Sequence, residues 1–542
     1  MGETEDLIRK LEPIIGKDQA ERYFHEYNNG RFSPTLRKAV EREVRELARQ
    51  YDLENQIILY PVPGRTSVRG DYSLGPCHYG KKEMNARFGL RERDFIKHIG
   101  IFGATGSGKT TTTMVLARQL CERGIPFLIL DPKGTWQCII RKPWAKNVKV
   151  LKLGSAYAPY TFDPFMPLAG MDIDTMISEV VEVFCDTQYL GYGAKNLLLR
   201  ACYAAKGKGR LTLSSVYEEF RKLHLTGQKE KLWYSSTARA LDTATTGILG
   251  RVLNLPDNVL FDRLMDSQVV IVMDSLVDSD QVAMFSGLML NRICWFRKLA
   301  GIREKLKHLL VIEEFHVLSS AEKSKGESRI EFLVKMCREF SQGVMVLEQN
   351  PGRISDAVLG NLNSIISMKL GHSKDIAAVG MAMAMDAEHK RYLSKLPTGW
   401  AISKSGDRMS EPVLVKVDYE KLEKSEVSSE EIRVHNRGFV MEIEEVPEEQ
   451  KTTYSNEFAH PSGVMKFAPI YGKILRFLKI NDGANLKTVY IAHGLSYRRG
   501  NTARKKLEGA GLVSSQEVET ETGKETRLFL TDEGENYLKR LT

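Results

Sequence analysis

Gly103-Ala104-Thr105-Gly106-Ser107-Gly108-Lys109-Thr110 matches the phosphate-loop pattern G-x-x-x-x-G-K-[ST] at every fixed position. On its N-terminal side, His98-Ile99-Gly100-Ile101-Phe102 reads as a short buried strand running into the loop. On the other side, Thr111 to Leu120 reads as the helix that leaves it. Strand, glycine loop and helix together let backbone N–H groups and a helix N-terminus surround phosphate oxygens. In that arrangement the loop from Gly103 through Thr111 binds a nucleotide. Lys109 neutralises the β- and γ-phosphates, and the Thr110 hydroxyl ligates Mg²⁺.

The bounds suit a soluble globular protein with room for more than one domain. The chain has 542 residues, 42% of them hydrophobic and 27% charged, and a formal net charge of +9. That excess is compatible with a polyanionic partner but weak by itself. The seven cysteines (Cys77, Cys121, Cys138, Cys185, Cys202, Cys294 and Cys337) are scattered with no C-x-x-C pair. Such spacing argues against a zinc site or a disulfide framework and suits a reducing cytosol. The N-terminus is acidic with no apolar stretch behind it, and the longest apolar runs are strand-length. The expectation is a cytoplasmic chain with no signal peptide and no membrane insertion.

Residues 1–74 read as a mainly helical N-terminal region. Leu7, Ile8, Leu11, Ile14 and Ile15 fall on one helical face, and a second helix opens with Ser33 and Pro34 and carries Leu36, Val40, Val44 and Leu47 on one stripe. Ile57 to Val62 looks like a strand, and irregular chain follows up to Gly75-Pro76. From about Phe95, strand and helix patterns alternate. Strand candidates are Ile125–Leu130, Val148–Leu153, Val269–Met273, Leu309–Ile312, Val344–Leu347 and Ile365–Leu370. Continuous apolar runs of this kind belong to strands covered on both faces. The expected fold is α/β, a doubly wound parallel sheet of RecA-like P-loop NTPase type spanning 75–419, with a helical insertion at about 172–257.

The second chemical element is Leu309-Leu310-Val311-Ile312-Glu313-Glu314-Phe315-His316, an apolar strand ending in two acids. Beside a phosphate loop, one carboxylate helps hold Mg²⁺ and the next activates water. Glu313 is assigned to the metal and Glu314 to general base. Three further positions fit a site at the strand ends. Asp131 follows Phe127-Leu128-Ile129-Leu130 and either emerges near the γ-phosphate or opens a turn with Pro132. Gln349 follows Val344 to Glu348 and either senses the γ-phosphate or caps a strand. Arg338, on the helix between, is either an arginine finger reaching a neighbour's nucleotide or a surface residue.

These stretches, with Asp131-Pro132-Lys133-Gly134 and Cys337-Arg338-Glu339-Phe340, resemble the HerA/FtsK superfamily. The likeness is closest to HerA-type ATPases and covers roughly Gly75 to Val417. The D-P-K-G element is its most specific part, because generic P-loop proteins lack it. The resemblance implies a homo-hexameric ring that threads double-stranded DNA and is driven by ATP with Mg²⁺. It also implies Lys109 and Thr110 on ATP–Mg²⁺, Asp131 and Glu314 in hydrolysis, Gln349 as sensor, and Arg338 acting on the adjacent subunit. The chain departs from the family in two ways. Helices stand in 1–74 where the family resembles a β-barrel implicated in docking a nuclease, and Glu313 and Phe315 depart from the commoner D-E-A-H form.

Beyond Val417 the composition turns acidic. Residues 420–465 read as a linker crowded with Glu, with a short strand at Gly438–Ile443. Residues 466–542 then read as helix (about Ile470–Leu478), helix (Leu486–Ala492), helix (Ser496 to about Ala510), hairpin (Leu512–Val518 and Thr526–Leu530) and a last helix after Thr531. That order resembles a winged-helix domain. Its third helix carries Arg498, Arg499, Asn501, Thr502, Arg504, Lys505 and Lys506, a density suited to phosphate contact and groove entry. The hairpin holds Glu517, Glu519, Glu521 and Glu525, which favours the alternative of a protein-docking module.

The expected function is an ATP-driven, ring-forming motor that translocates or remodels double-stranded DNA, with a nuclease or other effector protein as a candidate partner. The competing readings are a coupling or assembly ATPase of a conjugation or secretion machine, and an ATP-switched DNA-binding regulator.

Overall fold

The computed structural model describes residues 2–30, 33–51, 53, 64–209, 211–301, 305–319, 328–421, 427–439, 474–475, 477–479, 481–492, 497–520 and 523–540. It divides into two compact units, 1–443 and 444–542. The strand expected at Ile57–Val62 lies outside the described residues.

Three N-terminal helices, α1 (Glu3–Ile15), α2 (Lys17–Asn29) and α3 (Pro34–Gln50), bury Leu7, Ile8 and Leu11 against Val40 and Val44. Tyr79 joins the same cluster, which seats the bundle on the strands that follow. Leu36, read as part of the stripe, is exposed instead.

The strands that follow are β1 (Tyr72–Tyr79), β2 (Lys82–Leu90), β3 (Ile99–Phe102), β4 (Phe127–Asp131) and β5 (Lys149–Lys152). Further along come β6 (Gln268–Val272), β7 (His308–Glu313), β8 (Gln342–Glu348), β9 (Ser364–Ser367), β10 (Trp400–Ser405) and β11 (Val413–Lys416). They form one sheet in the order β2-β1-β11-β10-β9-β3-β8-β7-β4-β6-β5. From β9 to β5 every pairing is parallel, and from β9 to β2 every pairing is antiparallel. The irregular chain expected before Gly75-Pro76 is therefore a regular strand from Tyr72. Gly75 and Pro76 mask it in sequence, and the β1–β2 ladder slips its register on either side of them, as proline in a sheet requires.

The principal helices pack on both faces. They are α4 (Lys109–Glu122), α5 (Ile173–Thr187), α6 (Tyr192–Gly207), α7 (Leu213–Phe220), α8 (Gln228–Thr245), α9 (Gly247–Leu253), α10 (Ser279–Ala300), α11 (Arg329–Glu339) and α12 (Ser373–Ala382). Side chains alternate across the strands, so Phe102, Leu128 and Leu130 enter one core while Ile99, Ile101 and Ile129 enter the other. The first core is closed by α10, α11 and the insertion helices through Phe285, Leu288, Val334 and Val180. The second is closed by α4 through Met114, Leu116 and Leu120, together with Trp136.

Two expectations change. Cys294 on α10 and Cys337 on α11 are joined as a disulfide with Cα atoms 5.4 Å apart. They are 43 residues apart in the chain, so only the packing of the two helices brings them together. In addition, residues 427–439, read as acidic linker, include helix α13 (Ser429–His435) and dock on the sheet edge. Asn436 exchanges hydrogen bonds with the backbone of Val150, and Ile432 and Phe439 are buried. Gly438 and Phe439 form a turn and not the expected strand, and 440–465 lie outside the described residues.

The C-terminal unit has its own small core of Ile474, Leu475, Leu478, Val489, Leu507, Leu528 and Leu538. Helices α14 (Leu486–Ala492), α15 (Tyr497–Gly509) and α16 (Asp532–Arg540) pack with a sheet in the order β12 (Ala484–Asn485), β14 (Gly523–Leu530), β13 (Val513–Thr520).

Candidate active site

The parallel strands β3, β8, β7 and β4 lie side by side, and their carboxyl ends release Gly103, Glu348, Glu313 and Asp131 at one edge. Registers pair Phe102 with Glu348, Glu313 with Leu347, and Leu130 with Ile312. In a doubly wound sheet this edge is where ligands bind.

The phosphate loop turns from β3 into α4 through Gly106 and Gly108, both at positive φ (+76° and +114°). A Cβ on Gly108 would also meet Met368 at 2.8 Å, so only glycine fits there. Lys109 donates from Nζ to the carbonyls of Gly103 and, at 3.3 Å, Ala104. Burial is the main cause that lowers its ammonium to about 8. The Ser107 hydroxyl is buried without a protein partner. A cation folded onto carbonyls and an orphaned hydroxyl, both in a loop at a helix N-terminus, fit a polyphosphate group with Mg²⁺. Thr110 and Thr111 occupy the first turn of α4, Thr105 stands exposed at the loop tip, and Ala104 is anchored by its N–H on Lys369 O at 2.7 Å.

The acids are held by different means. Asp131 is fully buried, and its oxygens accept from the backbone N–H of Lys133 (3.1 Å) and Trp136 (2.8 Å). It thereby clamps the D-P-K-G loop to its strand. Glu313 is buried too, and its Oε1 accepts from the indole Nε1 of Trp136 at 2.8 Å. Burial raises both carboxyls above their ordinary range, and Asp131 adds repulsion on Glu313.

Glu314 sits in the left-handed region, at φ 55° and ψ 47°. For a non-glycine residue that conformation is strained, and strain of this kind gathers at functional sites. The side chain accepts at Oε1 from Gln349 Nε2 (2.6 Å) and forms an ion pair with Lys133. Gln349 in turn accepts from the Thr105 hydroxyl at 2.6 Å. One hydrogen-bonded chain thus runs from the tip of the phosphate loop through Gln349 to Glu314.

Sequence reasoning passed over Glu348, His316 and Trp136. Glu348 is buried at the end of the strand between the phosphate loop and Glu313. Burial alone would raise its carboxyl. His316, through its ring (Nδ1 to Oε2, 2.8 Å) and its backbone N–H, outweighs that with Asn350 and holds the group below its ordinary range. Glu314, His316 and Glu348 offer three ligand atoms within 4.8 Å of one another. The available signal was an acid closing an apolar strand, the feature already used for Asp131 and Glu313.

Arg338 stands elsewhere. It ends α11 just before β8 begins, exposed beside a cavity of about 410 Å³ shared with Asn361, Asn363, Lys404 and Met409. β8 has seven residues, so its two ends are about 20 Å apart, and Arg338 lies at the end away from its own phosphate loop. The C-terminal candidates lie on α15. Arg498 and Arg499 have side chains outside the described residues. Asn501 accepts from the Tyr490 hydroxyl at 2.9 Å, Arg504 pairs with Glu508 at 3.9 Å, and Lys505 is exposed.

A family model described as "Helicase HerA, central domain" matches residues 78–293. The chain is 22% identical over 374 residues to a probable DNA double-strand break repair helicase HerA of Methanocaldococcus jannaschii, covering 59% of this chain and 71% of that one. It is 24% identical over 368 residues to the DNA double-strand break repair helicase HerA of Sulfolobus acidocaldarius, covering 64% and 70%. Among solved structures, VirB4 of Thermoanaerobacter pseudethanolicus is similar in fold, with a TM-score of 0.50, 16% identity, and coverage of 64% of this chain and 96% of that one. The phosphate loop and the strand order give this chain a P-loop ATPase core, and residues 78–293 of it match the HerA central-domain model.

Proposed function

We propose that this protein is an ATP-driven motor that assembles as a ring, a homo-hexamer, and translocates or remodels double-stranded DNA. The observation that carries the hydrolytic reading is the chain Thr105–Gln349–Glu314, which ties the phosphate loop to the one strained acid at the strand ends. The DNA reading draws on the similarity to HerA helicases.

In this mechanism Lys109, Thr110 and the loop amides bind the triphosphate, and Thr110 with Glu313 would hold Mg²⁺, which neutralises phosphate charge when bound. Glu314 accepts the proton of the attacking water while water oxygen bonds to the γ-phosphorus and the bridging bond to ADP breaks. Gln349 orients Glu314 and reports on the loop through Thr105. Asp131 positions the loop that bears Lys133 and Trp136. Arg338 acts on the adjacent subunit's nucleotide, since it lies at the far end of β8 from its own.

The C-terminal unit serves this reading as a winged-helix module that recruits DNA through Arg498, Arg499, Arg504 and Lys505, with Asn501 bracing α15 on α14. A nuclease or other effector protein completes the assembly. No described helix is long and apolar enough to cross a membrane, and on this reading the motor works in the cytoplasm. A coupling or assembly ATPase is the competing reading. ATPase rate with and without long duplex DNA, alongside mass in solution, separates the two. DNA-stimulated turnover by a hexamer supports the translocase, and a DNA-indifferent rate or a monomer overturns it.

A further inference from the structure

The D-P-K-G element places a lysine, Lys133, against the Glu314 carboxylate. Its backbone is fixed, because Lys133 N donates to the buried Asp131 carboxylate, while its side chain is about half exposed and reaches Glu314. Gly134, at φ +70°, turns the chain back immediately afterwards, and a Cβ there would meet Gln137 at 2.8 Å and Asp274 at 2.9 Å. The loop is therefore built to present Lys133 in one place. Lys109 feels the charge of Lys133 as well as those of Glu314, Glu348 and Glu313. Lys133 pairs with Glu314, which Gln349 ties to Thr105 in the same phosphate loop that carries Lys109, so two ammonium groups serve one site, and a terminal phosphate is the anion such a site accepts.

We propose that Lys133 is a γ-phosphate-binding catalytic residue that exchanges partners, pairing with Glu314 while the site is without nucleotide and turning to the terminal phosphate of ATP when it binds. The proposal rests on the reading of Glu314 as general base. Lys133 and Gln349 share one Glu314 oxygen, Oε1, so the pairing keeps the general base engaged. Transfer of Lys133 to the γ-phosphate frees the Glu314 carboxylate only when there is a phosphoryl group to attack. Gln349 keeps Glu314 oriented through the exchange, since its hydrogen bond does not depend on Lys133. ADP lacks the γ-phosphate and leaves the pair intact.

The test is a binding cycle on the full-length protein with ADP and a non-hydrolysable ATP analogue as probes. Lys133→Met should weaken the analogue about tenfold, the loss of one charge-assisted hydrogen bond, with ADP affinity unchanged. Glu314→Gln, which releases Lys133 in advance, should tighten the analogue about threefold, the worth of a partly exposed ion pair. In the double variant that gain should vanish, leaving the affinity of Lys133→Met, and Lys133→Arg should retain most of the discrimination between analogue and ADP. Equal weakening of both nucleotides by Lys133→Met, no weakening of either, or a Glu314→Gln gain that survives in the double variant overturns the exchange. Failure of the wild-type chain to bind either nucleotide, or normal hydrolysis by Glu314→Gln, is a different result. It removes the parent reading of the site and this inference with it.

Discussion

The indole N–H of Trp136 donates to Glu313 at 2.8 Å, with both side chains buried and the Trp136 backbone N–H donating in turn to Asp131 at 2.8 Å. That bond sets the direction of the acid proposed to hold the metal. Trp136→Phe removes the donor, keeps an aromatic ring in the core, and leaves a buried carboxylate one partner short. The expected costs are about 1–3 kcal/mol of stability and a higher Mg²⁺ concentration for half-maximal ATPase. Denaturant unfolding and a Mg²⁺ titration measure the two, and an unchanged Mg²⁺ requirement removes Glu313 from the metal.

The buried pair Asp131 and Glu313 also makes stability depend on pH. Both carboxyls are raised in the folded chain, by burial first and, for Glu313, by the other's charge next. Acids raised on folding contribute stability at low pH, and that contribution is lost as pH rises from the ordinary carboxylate range through the folded values. Nucleotide-free protein should lose stability over that interval, and Glu313→Gln should lose less of it. Unfolding free energies measured from acid to neutral pH decide the matter; parallel curves for the two proteins contradict the coupling.

Lys109→Ala should abolish ATP binding, because nothing else in the first turn of α4 supplies a cation to the phosphates. Glu314→Gln should keep binding and lower turnover by about 10²–10⁴, the usual worth of a general base. Filter binding and phosphate release report the two effects separately. Normal hydrolysis by either variant removes that residue from the site.

Arg338 predicts a mixing experiment. Arg338→Ala subunits and Glu314→Gln subunits should each be inactive alone, whereas in the proposed ring a mixture would set an intact arginine beside an intact base at some interfaces. ATPase activity should recover partly at intermediate ratios. No recovery at any ratio would place Arg338 outside the neighbour's site.

For the C-terminal unit, neutralising Arg498, Arg499 and Arg504 together should weaken duplex binding and flatten its dependence on salt by roughly one unit of log–log slope per lost phosphate contact. Affinity measured across a salt series tests this. An unchanged slope favours a protein-docking role for α15.

The phosphate loop was legible in the chain because its chemistry is local. Strand, glycines, Lys109 and Thr110 are consecutive, and their geometry depends on residues a few positions away. Glu314 was legible for a similar reason, as an acid closing an apolar run. The antiparallel strands β1, β2, β10 and β11 were not; β1 holds Gly75 and Pro76, and β2 alternates half-buried and exposed side chains before its three buried ones, outside the doubly wound pattern. The sheet order was equally hidden. It inserts β8 between β3 and β7, bringing Glu348 and Gln349 between the phosphate loop and Glu314. Trp136 meets Glu313, Lys133 meets Glu314, and Cys294 meets Cys337 across separations of 177, 181 and 43 residues. The sequence alone determined which chemical groups this protein has for holding a triphosphate. Which of them touch was decided only by tertiary structure, since contacts between distant segments follow from how strands order and helices pack, and no local pattern encodes that.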